Sequence, residues 1–121
     1  MPTAPWMPER LAARLPFLDR RAALTAATRA FFTARGYTEV ETPALWLRTS
    51  PELAIKKLLA GGAGPVFELA RVWRNGEASA RHAPEFTMLE WYRPGLSFDG
   101  LMDEAEAYLR AVCPPVVEHD G

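Results

Sequence analysis

The chain has 121 residues, enough for one domain, and its 49% apolar and 24% charged residues exclude an intrinsically disordered chain. A formal net charge of −1 leaves no general basic field with which to hold RNA by counterion release. The single cysteine, Cys113, excludes an internal disulfide and a thiolate metal cluster, and no apolar run approaches the roughly 20 residues of a membrane-spanning helix.

Residues 1–18 read as an N-terminal arm, irregular from Met1 to Pro16. Its three prolines before Leu15 and its broken apolar pattern are unlike a secretory signal, so the expectation is a soluble cytoplasmic protein. Residues 19–113 read as the domain and 114–121 as a C-terminal tail. Asp19 is placed to cap a helix over Arg20 to Arg35, with Ala23, Leu24, Ala27, Phe31 and Ala34 as its apolar positions. Gly36 follows where a helix end favours a left-handed residue. Tyr37 to Glu41 reads as a short strand stopped by Pro43, and Leu45 to Arg48 as a second one. Ser50-Pro51-Glu52 has the composition of a helix start, a capping hydroxyl, a proline at the first position and an acid in the first turn. That helix is expected to run to Ala60, with Gly61-Gly62 ending it.

Pro65 to Arg74 and Glu85 to Arg93 read as two strands around a polar loop, Asn75 to Pro84, that contains an Asn-Gly turn signal; strands so close in sequence pair antiparallel. Ser97 can then cap a helix carrying Leu101, Ala105, Tyr108, Leu109 and Val112 on one side, ended by Pro114-Pro115. The fold class is α+β, an antiparallel sheet flanked by helices. Period-two alternation puts Glu68, Ala70, Val72 and Arg74 on one face of the first strand, and Phe86, Met88, Glu90 and Tyr92 on one face of the second. If these faces coincide, carboxylates sit on an otherwise apolar floor. Such groups are costly unless paired, which points either to a cationic ligand or to a nearby arginine. A half-exposed hairpin with a solvated charged face fits the same periodicity.

Three segments carry a resemblance. Val66 to Glu77, followed by His82-Ala83-Pro84-Glu85-Phe86-Thr87-Met88-Leu89-Glu90-Trp91-Tyr92, is similar to motif 2 of lysine-specific class II aminoacyl-tRNA synthetases. Gly36-Tyr37-Thr38-Glu39-Val40-Glu41-Thr42-Pro43 resembles motif 1, the helix-strand element of the dimer interface in that family. Ser50-Pro51-Glu52-Leu53 resembles the segment that meets the substrate α-amino group. Arg74-Asn75-Gly76-Glu77 and Glu90-Trp91-Tyr92-Arg93-Pro94 look most like a branch without an anticodon-binding domain, whose members use ATP to place lysine or β-lysine on a lysine side chain of elongation factor P. Two features depart from the pattern. Only Ala44 to Thr49 separate motif 1 from Ser50, where the family usually has some two dozen residues, and the chain stops before any counterpart of motif 3. A partial class II synthetase catalytic domain, roughly its first half, is therefore expected.

The resemblance implies ATP and Mg²⁺ as cofactors, a homodimer, and either elongation factor P or tRNA as acceptor. It makes Arg74 the catalytic residue, holding the α-phosphate through a planar, permanently charged fork. It places Asn75, Glu77, His82 and Phe86 with Arg74 at ATP: Glu77 at the adenine amino group, His82 at the terminal phosphates, Phe86 stacked on the base. Ser50, Glu52, Glu90 and Tyr92 would bind the amino acid, the two carboxylates meeting its two ammonium groups. Each has a plain structural alternative. Arg74 could pair with Glu68 or Glu90, Glu77 and His82 could be solvated, Phe86 could be core, and Ser50 and Glu52 could be only a cap and a helix-dipole acid. Trp91, on the opposite face, reads as core. No Ser/His/Asp or Cys/His arrangement supplies a nucleophile with a base, which suits direct attack of a substrate carboxylate on ATP. The alternatives to an elongation factor P ligase are a fragment of lysyl-tRNA synthetase and a dimerisation or binding module whose chemistry has lapsed.

Overall fold

The computed structural model describes residues 8–44, 47–76 and 79–113. Along these run helix α1 (Pro8–Ala34), strand β1 (Thr38–Glu39), helix α2 (Glu52–Ala60), strands β2 (Val66–Trp73) and β3 (Glu85–Tyr92), and helix α3 (Phe98–Val112). β2 and β3 pair antiparallel without interruption from Val66 opposite Tyr92 to Trp73 opposite Glu85. β1 adds to the other side of β2 in parallel, so the three-stranded sheet is mixed rather than purely antiparallel.

The helix ahead of the sheet corrects the expected irregular arm, because α1 starts at Pro8 rather than after Asp19. Pro8 has no N–H to lose at a helix start, and the run from Leu11 to Leu15 is made of strong helix formers. Pro16 leaves the carbonyl four residues earlier without its usual donor, yet the helix continues through it. The front of α1 is only loosely held: Leu11, Leu15, Phe17 and Leu18 are all exposed. Met1 to Met7 lie outside the described residues.

Two short-strand expectations shrink. Of Tyr37 to Glu41 only Thr38–Glu39 is strand, prolonged by one bond from Val40 N–H to the Phe67 carbonyl (2.9 Å) before the chain turns away at Thr42-Pro43. Leu47 and Arg48 are not strand. A single backbone–backbone bond, Trp73 N–H to the Arg48 carbonyl at 2.8 Å, joins them to β2, and one such bond makes no ladder. Ala44 ends the preceding described stretch, and Leu45-Trp46 lie outside it. Both β2 and β3 end one residue short of the expected Arg74 and Arg93, within the ordinary uncertainty of strand ends.

The aromatic core lies on one side of the sheet, and Val66, Ala70 and Val72 of β2 are buried on the other. Phe31 and Phe32 of α1, Tyr37 and Phe67 are buried together, with Leu89, Trp91, Ala107 and Tyr108 packed around them. Trp91 thus belongs to the core side, as its alternation implied. Phe32, not Phe31, is the deepest ring, with no exposed surface. It stacks on Phe67 at 4.9 Å between centroids and meets Tyr37 edge-on at 5.1 Å, with Trp91 at 5.4 Å and Tyr108 at 5.5 Å. Such offset and edge contacts add to area burial. Gly36, at φ +77°, takes the left-handed turn that brings the chain from Phe32 back to β1, and Tyr37 N–H closes that turn on the Phe32 carbonyl at 3.1 Å.

At the edge of the core the Tyr37 hydroxyl donates to Glu104 of α3 and accepts from Arg93 Nε at 3.2 Å, while Arg93 Nη2 reaches the Arg35 carbonyl at 2.7 Å. α3 starts as expected, Ser97 Oγ accepting from Gly100 N–H at 3.1 Å. The helix buries little, and Leu101 and Leu109 remain exposed. α2 is held by Ile55 and by Pro51 before it, both fully buried, and ends at Gly61-Gly62 with Gly62 at φ +92°.

Because Phe32 joins α1 to both long strands and to α3, Phe32→Ala is expected to destabilise the chain by about 3–5 kcal/mol. Thermal or urea unfolding checks this, and a loss below about 1 kcal/mol would show that the aromatic cluster is not the anchor of the fold.

Candidate functional site

The cross-strand register decides which side chains share the face opposite the core. Val66, Glu68, Ala70 and Val72 stand opposite Tyr92, Glu90, Met88 and Phe86, in that order. The two faces inferred from alternation therefore coincide, and Glu68 and Glu90 are direct partners. Like charges so placed repel unless at least one is compensated.

Glu68 is compensated from inside the protein. It is 2% exposed, its Oε1 lies 2.6 Å from Arg48 Nη2, and its Oε2 accepts from Thr42 Oγ1 at 2.7 Å. The arginine that answers it is Arg48, not Arg74. Glu90 is held differently. Ser50 Oγ donates to Oε1 and the Tyr92 hydroxyl to Oε2 at 3.0 Å, and among the described residues it forms no ion pair. Ser50 Oγ also accepts from Glu52 N–H at 3.0 Å; the N-cap position is Pro51, one residue later than expected, so the hydroxyl closes the turn into α2 and also orients a carboxylate on β3. Glu52 is half-exposed and paired with Lys56 one turn on. Its charge still reaches Tyr92, whose hydroxyl is pushed well above the usual tyrosine range, first by burial, then by its bond to Glu90 and the charges of Glu90 and Glu52. Ser50, Glu90 and Tyr92 thus form one bonded cluster with Glu52 at its border.

The other end of the same floor holds the remaining candidates. Arg74 follows β2 and extends the ladder by one bond, from its N–H to the Pro84 carbonyl at 2.9 Å. Its guanidinium carbon stands 5.5 Å from the centre of the Phe86 ring. Arg74, Phe86, Arg81, His82 and Ala83 line a cleft of about 400 Å³. Arg74 pairs with neither Glu68 nor Glu90, and among the described residues it forms no ion pair. His82 is exposed at the cleft, its Nδ1 2.8 Å from Ser79 Oγ in a turn closed by Ser79 N–H on the His82 carbonyl at 3.0 Å. Asn75 is exposed in the turn that Gly76 completes at φ +81°. Glu77 lies outside the described residues. Six residues of strand separate Glu68 from Arg74, so the two ends of the floor are roughly 20 Å apart along β2.

Sequence reasoning missed Thr42 and Arg48. The available signal was the buried acid: a carboxylate on an apolar face demands a partner, but nothing in the spacing singled Arg48 out from the other arginines. Among the described residues, no three His, Cys, Asp or Glu side chains gather in a group that could hold a metal, and no helix is long and apolar enough to cross a membrane.

Residues 45–120 match the family model of tRNA synthetases class II (D, K and N), which spans both clusters except Thr42. The chain belongs to this class II synthetase family. It is similar to the elongation factor P--(R)-beta-lysine ligase of Haemophilus influenzae strain PittGG, 41% identical over 140 positions that cover 91% of this chain and 42% of that protein. The ligase of strain ATCC 51907 / DSM 11121 / KW20 / Rd is 42% identical over 126 positions, covering 79% of this chain and 39% of the relative. The chain thus spans about two fifths of the length of these relatives. Since 140 aligned positions fall on 91% of 121 residues, about thirty positions of the relative have no counterpart here, close in size to the segment absent between motif 1 and Ser50. Among solved structures, the aspartyl tRNA synthetase from Entamoeba histolytica superposes with a TM-score of 0.72 at 26% identity, over 78% of this chain and 20% of that one.

Two of the three tyrosines should ionise abnormally late, and ultraviolet difference titration reads this directly. Burial pushes the Tyr37 phenol up to about 12, reinforced by its bond to Glu104 and opposed by Arg93. A folded value above the ordinary one means that the associated stability is complete below pH about 10 and is lost as pH rises toward about 12. Glu90→Gln should lower the Tyr92 transition toward the ordinary value and leave Tyr37 in place. No change at Tyr92 would show that the Tyr92–Glu90 bond does not form in solution.

Proposed function

We propose that this chain supplies the ATP and amino-acid floor of a ligase that activates lysine or a lysine-like amino acid as its adenylate, for transfer to a lysine side chain of elongation factor P. One observation carries the reading: Glu90, held by two hydroxyls, shares a sheet face with Arg74 beside an aromatic ring, and among the described residues neither forms an ion pair. The similarity to two elongation factor P ligases supports the choice of acceptor.

In this reading an ammonium group of the amino acid completes Glu90, while Glu52 leaves Lys56 for the second ammonium. A ligand without the cation would leave Glu90 unanswered, which is a strong basis for discrimination. Phe86 offers its ring to the adenine. The substrate carboxylate oxygen attacks the α-phosphorus, the new C–O–P linkage forms, and the bond to the departing pyrophosphate breaks. Arg74 stabilises the charge that develops on the α-phosphate, and no covalent enzyme intermediate is involved. Magnesium, when bound, neutralises phosphate charge; the described residues provide no cluster to hold it, and no ligand is assigned. A homodimer through residues 20–35 and 37–41, and a cytoplasmic location, belong to the same reading.

Arg74→Ala should slow amino-acid-dependent pyrophosphate exchange at least about a hundredfold, while changing stability by no more than about 1–2 kcal/mol. Arg74→Lys should recover little, because an ammonium lacks the two-pronged geometry. Phe86→Ala should weaken ATP binding with a smaller effect on the chemical step. Exchange assays with lysine, β-lysine and other amino acids test the substrate. Acceptor assays with elongation factor P and with tRNA separate this ligase from a tRNA-charging enzyme. Absence of exchange together with absence of ATP binding by calorimetry would leave a binding module instead.

Sedimentation should give a dimer at tens of micromolar, and a clean monomer would remove the twofold contact from the proposal.

A further inference from the structure

Arg48 is fixed to the sheet by both its backbone and its side chain. Its carbonyl accepts from Trp73 N–H at 2.8 Å. Its guanidinium reaches three residues on two stretches: Nη2 to Glu68 Oε1 at 2.6 Å and Nε to the Arg71 carbonyl at 3.4 Å, both on β2, and Nη1 to the Thr42 carbonyl at 3.0 Å and to Thr42 Oγ1. Two residues further on, Ser50 Oγ meets Glu90 and accepts from the Glu52 N–H that opens α2. Two residues span at most about 7 Å of extended chain, so a pinned Arg48 leaves Ser50 little room to move away from β3.

We propose that Arg48 is a positioning residue for amino-acid binding: it holds the Ser50-Pro51-Glu52 turn against β3 so that Ser50 orients Glu90. Its charge acts in the same sense. By engaging Glu68 it neutralises the carboxylate directly opposite Glu90, and Glu90 remains for the cation of a ligand. The inference rests on the reading of Glu90 as the partner of a ligand ammonium, and adds the residue that sets its geometry. A purely structural ion pair would support the whole sheet equally. A positioning residue affects the Ser50 end of the floor and spares the Arg74 end, which lies roughly 20 Å away.

Two variants separate charge from geometry. Arg48→Lys keeps a cation near Glu68 but cannot span Thr42 and Glu68 together. The double variant Arg48→Met, Glu68→Gln removes both charges at once, so that no buried charge is left alone. Amide hydrogen exchange of Glu52 N–H, whose acceptor is Ser50 Oγ, and calorimetric titration with lysine and separately with ATP are measured on each. In both variants Glu52 exchange should accelerate about tenfold or more, while the amides of β2 keep their protection. The lysine dissociation constant should rise about tenfold or more, and that of ATP should stay within about twofold. Unchanged Glu52 exchange and unchanged lysine affinity in the double variant would overturn the proposal. So would a parallel loss of lysine affinity, ATP affinity and β2 protection, which marks a merely structural pair. If the unaltered chain binds no lysine, the reading of Glu90 fails on its own, and Glu52 exchange still decides whether Arg48 holds the turn.

Discussion

The ring of Phe32 ties the chain together. It touches Phe67 of β2, Trp91 of β3, Tyr108 of α3 and Tyr37 at the start of β1, so one side chain connects every element except α2. A domain of this size buries only about two-thirds of its unfolded surface, and few contacts can be lost from it. The aromatic rings gather on one face of the sheet, while the other face buries smaller side chains, Val66, Ala70 and Val72, together with Glu68. The carboxylates of that second face are held by polar partners, Arg48 and Thr42 at Glu68 and two hydroxyls at Glu90, which is the condition for sheltering such groups.

The division is set by pairing. Because Val66 stands opposite Tyr92 and every following pair keeps step, Phe67, Leu69, Leu89 and Trp91 go to the helices together. Glu68, Glu90, Val72 and Phe86 go together to the other side. The polar groups there are sorted further by their partners. Glu68 is satisfied from within by Arg48 and Thr42, whereas Glu90, among the described residues, receives only hydroxyl bonds. Two carboxylates of the same type, side by side, acquire different roles from what surrounds them.

The hairpin, α2, α3 and the shared face were legible in the sequence because each rests on a local rule: alternation, a capping hydroxyl, a glycine end. Ser97, Gly36 and Gly62 act as those rules require. The front of α1 was not legible, since prolines at positions 8 and 16 outweighed the helix formers between them. Phe31 was expected on the apolar side and is buried, but the burial of its neighbour Phe32 was hidden. Adjacent side chains on a helix differ by about 100° in direction, and only the packed sheet shows that both rings are enclosed. Of the candidate site, Arg74, His82 and Phe86 line one cleft, because the strand ends and the turn between them bring these positions together. The Arg48–Thr42–Glu68 network was not legible, because it joins residues up to 26 positions apart that no local rule brings together.

The unbroken pairing of β2 with β3 also bears on how such a chain can vary over generations. A residue gained or lost inside either strand would exchange inward and outward positions beyond that point, sending Trp91 into water or Glu90 into the aromatic cluster. The loop from Asn75 to Pro84 is under no such rule, since a length change there alters the reach of the loop and leaves the faces intact. Heritable insertions and deletions should therefore accumulate between the strands and be purged within them, so that the loop beside Arg74 is free to diversify while the paired positions of both strands stay fixed.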